Sequence, residues 1–200
     1  MLFAVVSLLL NNFLHMEMVK EKLQDVFKAL KSEFSYTNPM QAPRIEKVVI
    51  STGTGKIDDK QKLALIQDRL ARITGQKAAP RGAKKSIASF KLREGDIIGY
   101  QTTLRGARMH DFLNRLIHVA IPNMRDFHGL KVSAIDEMGN YTMGLQEHTI
   151  FPETADEDIR DVFGLSITIV TSAKTKEESE ALLRHIGLPL EKKESETEAE

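Results

Sequence analysis

The 200-residue chain contains no cysteine. Disulfides, thiolate metal sites and cysteine nucleophiles are thereby excluded, and the composition suits a reducing compartment. Net charge is missing as well, because 28 Lys and Arg balance 28 Asp and Glu. Any role with a polyanion must therefore rest on how charge is distributed, not on its total. Long apolar runs are lacking too. The most apolar stretch, Met1–Leu10, is shorter than the roughly 20 residues that cross a bilayer. It has neither the basic n-region nor the small-residue cleavage site of a secretory signal, so no membrane partner is expected. Residues 1–18 read as an apolar N-terminal extension from an over-extended reading frame, with Met16 or Met18 as the true start.

Recognisable catalytic and metal motifs are also absent. Gly53-Thr54-Gly55-Lys56 follows a strand-like run, as a phosphate loop would. However, Ile50 stands where that motif needs its first glycine, and Ile57 where it needs Ser or Thr. A glycine turn into a helix is the expected reading. His110 and His118 have no metal-site spacing and there is no H-E-x-x-H, so both read as surface or interface histidines. Asp156, Glu157, Asp158 and Asp161 lack the spacing and glycine of a calcium loop and suit a solvated helix start. With no nucleophile–base pair and no metal constellation, neither an enzyme nor a cofactor is expected.

What is present is concentrated in the middle of the chain. Between Gly75 and Gly129 lie Lys77, Arg81, Lys84, Lys85, Lys91, Arg93, Arg105, Arg108, Arg115 and Arg125, against only Glu94, Asp96, Asp111 and Asp126. Such a block on a neutral chain is the electrostatic footprint of a nucleic-acid partner. Its first part, Gln76–Phe90, is small and basic, with Pro80 and Gly82 and few apolar anchors before Ile87. It cannot bury much surface, so a long exposed loop or hairpin tip is expected. In functional terms it reads as a mobile cationic finger that orders on RNA.

The flanking periodicities supply a scaffold. Val19, Leu23, Val26, Phe27 and Leu30 fall at helical spacing, as do Leu63, Ile66, Leu70 and Ile73 after an Asp58 or Asp59 cap. Met109, Phe112, Leu113, Leu116, Ala120 and Ile121 form the broadest stripe, which Pro122 ends. Thr175-Lys-Glu-Glu178 is a capping box, opening a last helix that Gly187 and Pro189 stop. Strands are predicted over Arg44–Thr52, Ile97–Leu104, Tyr141–Gly144 and Leu165–Thr171. Ile150–Glu153 reads as extended, and 191–200 as an acidic disordered tail. Half-buried strands alternating with helices predict an α+β fold: an antiparallel sheet, helices mainly on one face, and a long basic loop. Residues 19–190 are expected to form one domain.

Several segments carry a family resemblance. Thr103-Leu-Arg-Gly106, Arg108-Met109, Phe112-Leu-x-Arg115-Leu116 and Pro122-x-x-Arg125-Asp-Phe-x-Gly129-Leu130 look like bacterial large-subunit ribosomal protein five. Gly75-Gln-Lys77, Lys85-Ser-x-Ala-x-Phe-Lys91, Gly139-Asn-Tyr-x-Met-Gly144 and Glu147-x-x-Ile-Phe-Pro-Glu153 do so in the same order. The resemblance implies a cytoplasmic, structural component of the large subunit. Its implied partners are 5S rRNA, 23S rRNA, P-site tRNA and neighbouring ribosomal proteins, one of them in the small-subunit head. Carried onto this chain, the tRNA loop would comprise Lys77, Arg81, Lys84, Lys85, Ser86 and Lys91. The rRNA-facing set would comprise Arg44, Lys47, Ser51, Thr52, Gln101, Thr103 and Arg105. Ser51 stands where the family commonly has Asn, keeping an oxygen but losing the amide donors. Two alternatives remain open: an RNA-binding module or chaperone acting off the ribosome, and a small enzyme for a phosphorylated substrate.

Overall fold

Four amphipathic helices need an apolar surface to cover, and the half-buried strands provide one. A computed structural model of the chain describes residues 18–55, 57, 59–125, 127–154 and 161–191. The N-terminal extension before Met18, the acidic stretch 155–160 and the tail after Glu191 lie outside the described residues. Strands β1 (Ile45–Gly53), β2 (Ala79–Gly82), β3 (Ile97–Leu104), β4 (Tyr141–Leu145) and β5 (Leu165–Thr171) form an antiparallel sheet in the order β2-β3-β1-β5-β4. Helices α1 (Val19–Phe34), α2 (Lys60–Thr74), α3 (Ala107–Arg115) and α4 (Lys176–Ile186) complete the α+β fold.

The core lies between the helices and one face of the sheet. Val48 and Ile50 of β1, Leu104 of β3 and Ile167 and Ile169 of β5 are fully buried, in one cluster with Ile66, Leu70, Phe112, Leu113 and Leu182. Fully burying one such side chain contributes about 1.5–3 kcal/mol, so this shared face holds the layers together. Helix α1 packs on α4. Just after α1, the Tyr36 hydroxyl donates to Glu178 Oε1 at 3.0 Å, and burial with that carboxylate pushes the phenol's pKa upward.

The helix ends follow the expected chemistry with small shifts. Asp59 Oδ1 accepts the Gln61 N–H at 2.8 Å, and α2 stops at Gly75, whose φ of 65° is left-handed. Thr175 Oγ1 accepts the Glu178 N–H at 3.2 Å. Glu178 in turn reaches Lys174 N at 2.8 Å, one residue further back than a standard capping box. The stripe of α3 continues past Arg115 as π-helical turns over Leu116–Ala120, closed by Ile121 N–H on the Leu116 carbonyl at 2.9 Å. The wider turn lets Leu116, Ile117, Ala120 and Ile121 all stay buried.

Ile150–Glu153 departs from its expected extended form. Two 3-10 turns, His148–Ile150 and Pro152–Thr154, replace it. Thr154 Oγ1 donates to the His148 carbonyl at 3.0 Å, which rewards the compact course. Arg115 then clamps this region, pairing with Glu153 while donating to the Ile73 carbonyl at 2.9 Å. In sequence Arg115 belongs to the basic block, yet its charge is engaged inside the fold.

His110 and His118 of the α3 segment are half-buried. Burial first, and Lys20 second, hold the His110 pKa below its usual value, with Asp111 opposing; burial and then Lys22 do the same for His118. Both rings are therefore favoured neutral in the fold. Their contribution to stability is complete above the usual histidine pKa of about 6.5 and is lost as pH falls through the lowered folded-state values. Urea midpoints should stay level from pH 8 to 7 and drop below about 6.5. The double variant His110→Gln, His118→Gln should flatten that drop, and an unchanged profile would count against the assignment.

Candidate nucleic-acid interface

The second face of the sheet is assembled by register. Ala79, Gln101, Ser51, Ser166 and Gly144 form one row across all five strands. Thr103, Val49, Thr168 and Thr142 form the next. These positions alternate with the core residues, so a single pleat sends aliphatics inward and small polar groups outward. Ser51, Gln101, Thr103, Ser166 and Thr168 are half-buried, and Thr142 and Gly144 are exposed. Thr142 and Thr168 hydroxyls lie 3.1 Å apart. At strand spacing the face is roughly 20 Å wide.

Cations gather at one end of this face, with Glu46 exposed beside them at the β1 bulge. Lys47 lies opposite Val170 on β5, and Arg105 follows Thr103 at the same alternation, at the end of the sheet where β1 begins. Arg44 is close by, tied through its backbone to Ser172 at 2.9 and 3.0 Å, with its side chain exposed. None of the positions in the two rows is a carboxylate. A floor of hydroxyls and one carboxamide, edged by cations, can give hydrogen bonds to ribose and base edges and attract phosphate.

Thr52 is an exception among the expected rRNA-facing residues. It shares the inward parity of Val48 and Ile50, is 5% exposed, and donates its hydroxyl to the Gly164 carbonyl at 2.7 Å. It pins β1 to the approach of β5 and presents nothing to a partner. Conversely, Ser166, Thr168, Thr142 and Gly144 belong to the open face although none is in the expected set. Their alternation with buried neighbours was the available signal.

The finger takes the hairpin form, one of the two that its composition left open. Strand β2 pairs with β3 along Ala79–Gln101, Pro80–Tyr100 and Arg81–Gly99, and then a bulge brings Gly82 opposite Ile97. Beyond the bulge the ladder continues through Ala83 N–H to the Asp96 carbonyl at 2.8 Å and Gly95 N–H to the Ala83 carbonyl at 3.0 Å. Ile87 and Leu92 exchange backbone hydrogen bonds of 3.0 and 3.2 Å, closing a 3-10 turn over Ala88–Phe90. Ser86 Oγ accepts the Glu94 N–H at 2.9 Å, so this hydroxyl is already engaged in the arm. Lys77, Lys84, Lys85 and Lys91 are exposed, and none pairs with a carboxylate among the described residues.

Two expected sets meet at one bond. Arg81 of the arm donates from Nε to Gln101 Oε1 of the face at 2.7 Å, so finger and face form a continuous surface. Close packing at this junction depends on Gly99. A Cβ there would lie 2.6 Å from the Thr52 carbonyl oxygen of β1.

The glycine turn after β1 borders a separate open groove of about 690 Å³, lined by Gly53, Gly55, Ile57, Asp59, Lys62, Val162, Phe163 and Gly164. Asp59 caps the first turn of α2, placing a carboxylate where a phosphate loop would hold its anion. Among the described residues no group of three potential metal ligands converges.

An antiparallel sheet covered by helices on one side, with an open polar face on the other, places the chain among α+β sheet proteins with one uncovered face. Comparison with known proteins makes this specific. Residues 38–93 match the family model for ribosomal protein L5, and residues 97–190 match the model for the C-terminus of the same ribosomal protein family. The large ribosomal subunit protein uL5 of Trichlorobacter lovleyi is 52% identical over 166 residues, covering 82% of this chain and 93% of the relative. That of Flavobacterium johnsoniae is 49% identical over 168 residues, covering 84% and 92%. That of Moorella thermoacetica is 49% identical over 177 residues, covering 87% and 98%. The chain belongs to the ribosomal protein L5 family.

Gly99→Ala should force β1 and β3 apart, costing about 1–3 kcal/mol of stability. Gly53, its partner in register, has nothing within 4 Å of an added Cβ, so Gly53→Ala serves as the control. A clear fall in urea midpoint for Gly99→Ala alone is expected, and equal midpoints would refute the close-approach argument.

Proposed function

We propose that the chain is a structural component of the large ribosomal subunit and carries out no catalytic step. Its open sheet face lies against 5S rRNA in the central protuberance, with 23S rRNA beside it. The basic arm reaches P-site tRNA, and a neighbouring protein of the small-subunit head completes an intersubunit bridge. The observation that carries the reading is the polar, cation-edged sheet face in a member of the ribosomal protein L5 family. Hydroxyls of Ser51, Thr103, Ser166 and Thr168 and the amide of Gln101 address ribose and base edges. Lys47, Arg44 and Arg105 neutralise phosphates at the rim.

Two arms of one experiment separate the two RNA contacts. Each neutralised phosphate contributes about 0.9 to the slope of log affinity against log salt on a duplex, and about 0.7 on a single strand. Lys84→Ala, Lys85→Ala, Lys91→Ala should lower that slope by roughly 2–3 for tRNA and leave 5S rRNA binding unchanged. Lys47→Ala, Arg105→Ala should lower the 5S slope by roughly 2 and spare tRNA. Parallel losses in both variants for both RNAs would defeat the division of labour. Sedimentation of the native chain with light fractions, away from large subunits, would replace the ribosomal role with that of a free RNA-binding module.

A further inference from the structure

The tip of the arm carries a feature that charge does not explain. Phe90 is 68% exposed and Ile87 44% exposed, and neither belongs to the core. Both lie on the short turn that closes the arm, far along the chain from any helix that might cover them. Backbone bonds fix the turn: Phe90 N–H binds the Ile87 carbonyl at 3.2 Å, Lys91 N–H binds that of Ala88 at 3.1 Å, and Ile87 and Leu92 pair on both sides. Lys91 adopts a left-handed φ of 53°, shared among described non-glycine residues only with Ser35. That conformation is disfavoured for a lysine, and strain of this kind is retained where the surrounding structure over-determines a functional shape.

We propose that Phe90 is a stacking platform for a single nucleobase of RNA, one that is unpaired or that ends a stack, with Ile87 as the apolar shoulder beside it. The assignment rests on the reading that the arm meets RNA, and it adds a contact that the lysines cannot supply. Lys84, Lys85, Lys91 and Arg93 are exposed within a few residues of the tip, against the exposed carboxylates Glu94 and Asp96, a balance that suits an anionic polymer with an apolar face. Of the nearby carboxylates, Asp96 is turned onto the Arg93 N–H at 2.8 Å. A protein partner fits poorly, since a stable protein interface needs about 800 Å² on each side and two side chains do not provide it. A base face matches one phenyl ring, and its flanking phosphates match the lysines.

The chain has no tryptophan, so Phe90→Trp places the sole tryptophan at the site, where it is excited selectively over the tyrosines. The full chain carrying this substitution is titrated at low salt with a tRNA transcript and, separately, with inorganic polyphosphate, an anion without bases. Stacking predicts saturable quenching by tRNA and none by polyphosphate. Phe90→Ala should bind tRNA roughly 5- to 100-fold more weakly, whereas Phe90→Trp and Phe90→Tyr retain affinity. All Phe90 variants should keep the salt slope of the parent, because no phosphate contact is lost. Equal affinity for Phe90→Leu and Phe90, or equal quenching by the two anions, would overturn the platform while the triple lysine variant still reports the arm's contact with tRNA. Tryptophan emission that changes with protein concentration in the absence of RNA would assign the tip to self-association and also overturn it. If the unaltered chain binds no tRNA, the platform and the tRNA reading of the arm fall together.

Discussion

Strand β1 is the element on which the rest depends, because its two sides must satisfy opposite demands. It is hydrogen-bonded to β3 on one edge and β5 on the other, so its register fixes theirs. Along it, Val48, Ile50 and Thr52 point into the core, while Lys47, Val49 and Ser51 point away. A slip of one residue would turn the aliphatic row outward and bury a lysine, a cost no local rearrangement could offset. Pairing on both edges removes that freedom. The Thr52 hydroxyl on Gly164 and the close approach of Gly99 act as further pins at one end of the strand.

The sheet order also explains how the two matched family regions make one object. Strands β1 and β2 come from the first region and β3, β4 and β5 from the second, yet the order β2-β3-β1-β5-β4 places β3 between β2 and β1. Each row of the open face therefore draws on both parts of the chain. Neither part alone would set Ser51 between Gln101 and Ser166, and so the surface exists only when the whole sheet has formed.

Much of this was legible from periodicity. Caps at Asp59 and Thr175, stops at Gly75 and Gly187, the α3 stripe and the alternation of β5 depend on neighbours a few residues away, and such signals survive in a single sequence. What escaped depends on distant partners. Ser166 and Thr142 join the site only through cross-strand register, and Arg115 leaves the basic block only because Glu153 and the Ile73 carbonyl are brought to it. For the finger, composition left loop and hairpin tip undivided, because its small residues have no apolar pattern. Its order comes from backbone pairing with β3, to which side-chain composition is nearly blind. Thr52 was a different kind of miss, since its parity with Val48 and Ile50 was readable and its polarity obscured it.

The arm has a mechanical consequence. It is cantilevered from an edge strand, with the bulge between Arg81 and Gly82 at its root and the Arg81–Gln101 bond as a brace across that root. From the root to the Ile87–Leu92 bridge the arm runs about 15 Å at strand rise. A tilt of the sheet by about 5° thus swings the tip by about 1 Å, enough to make or break van der Waals contact with a base. The sheet face is the fixed end of a lever whose free end is a phenyl ring. Any strain that rotates the platform is felt at the tip as a change in reach.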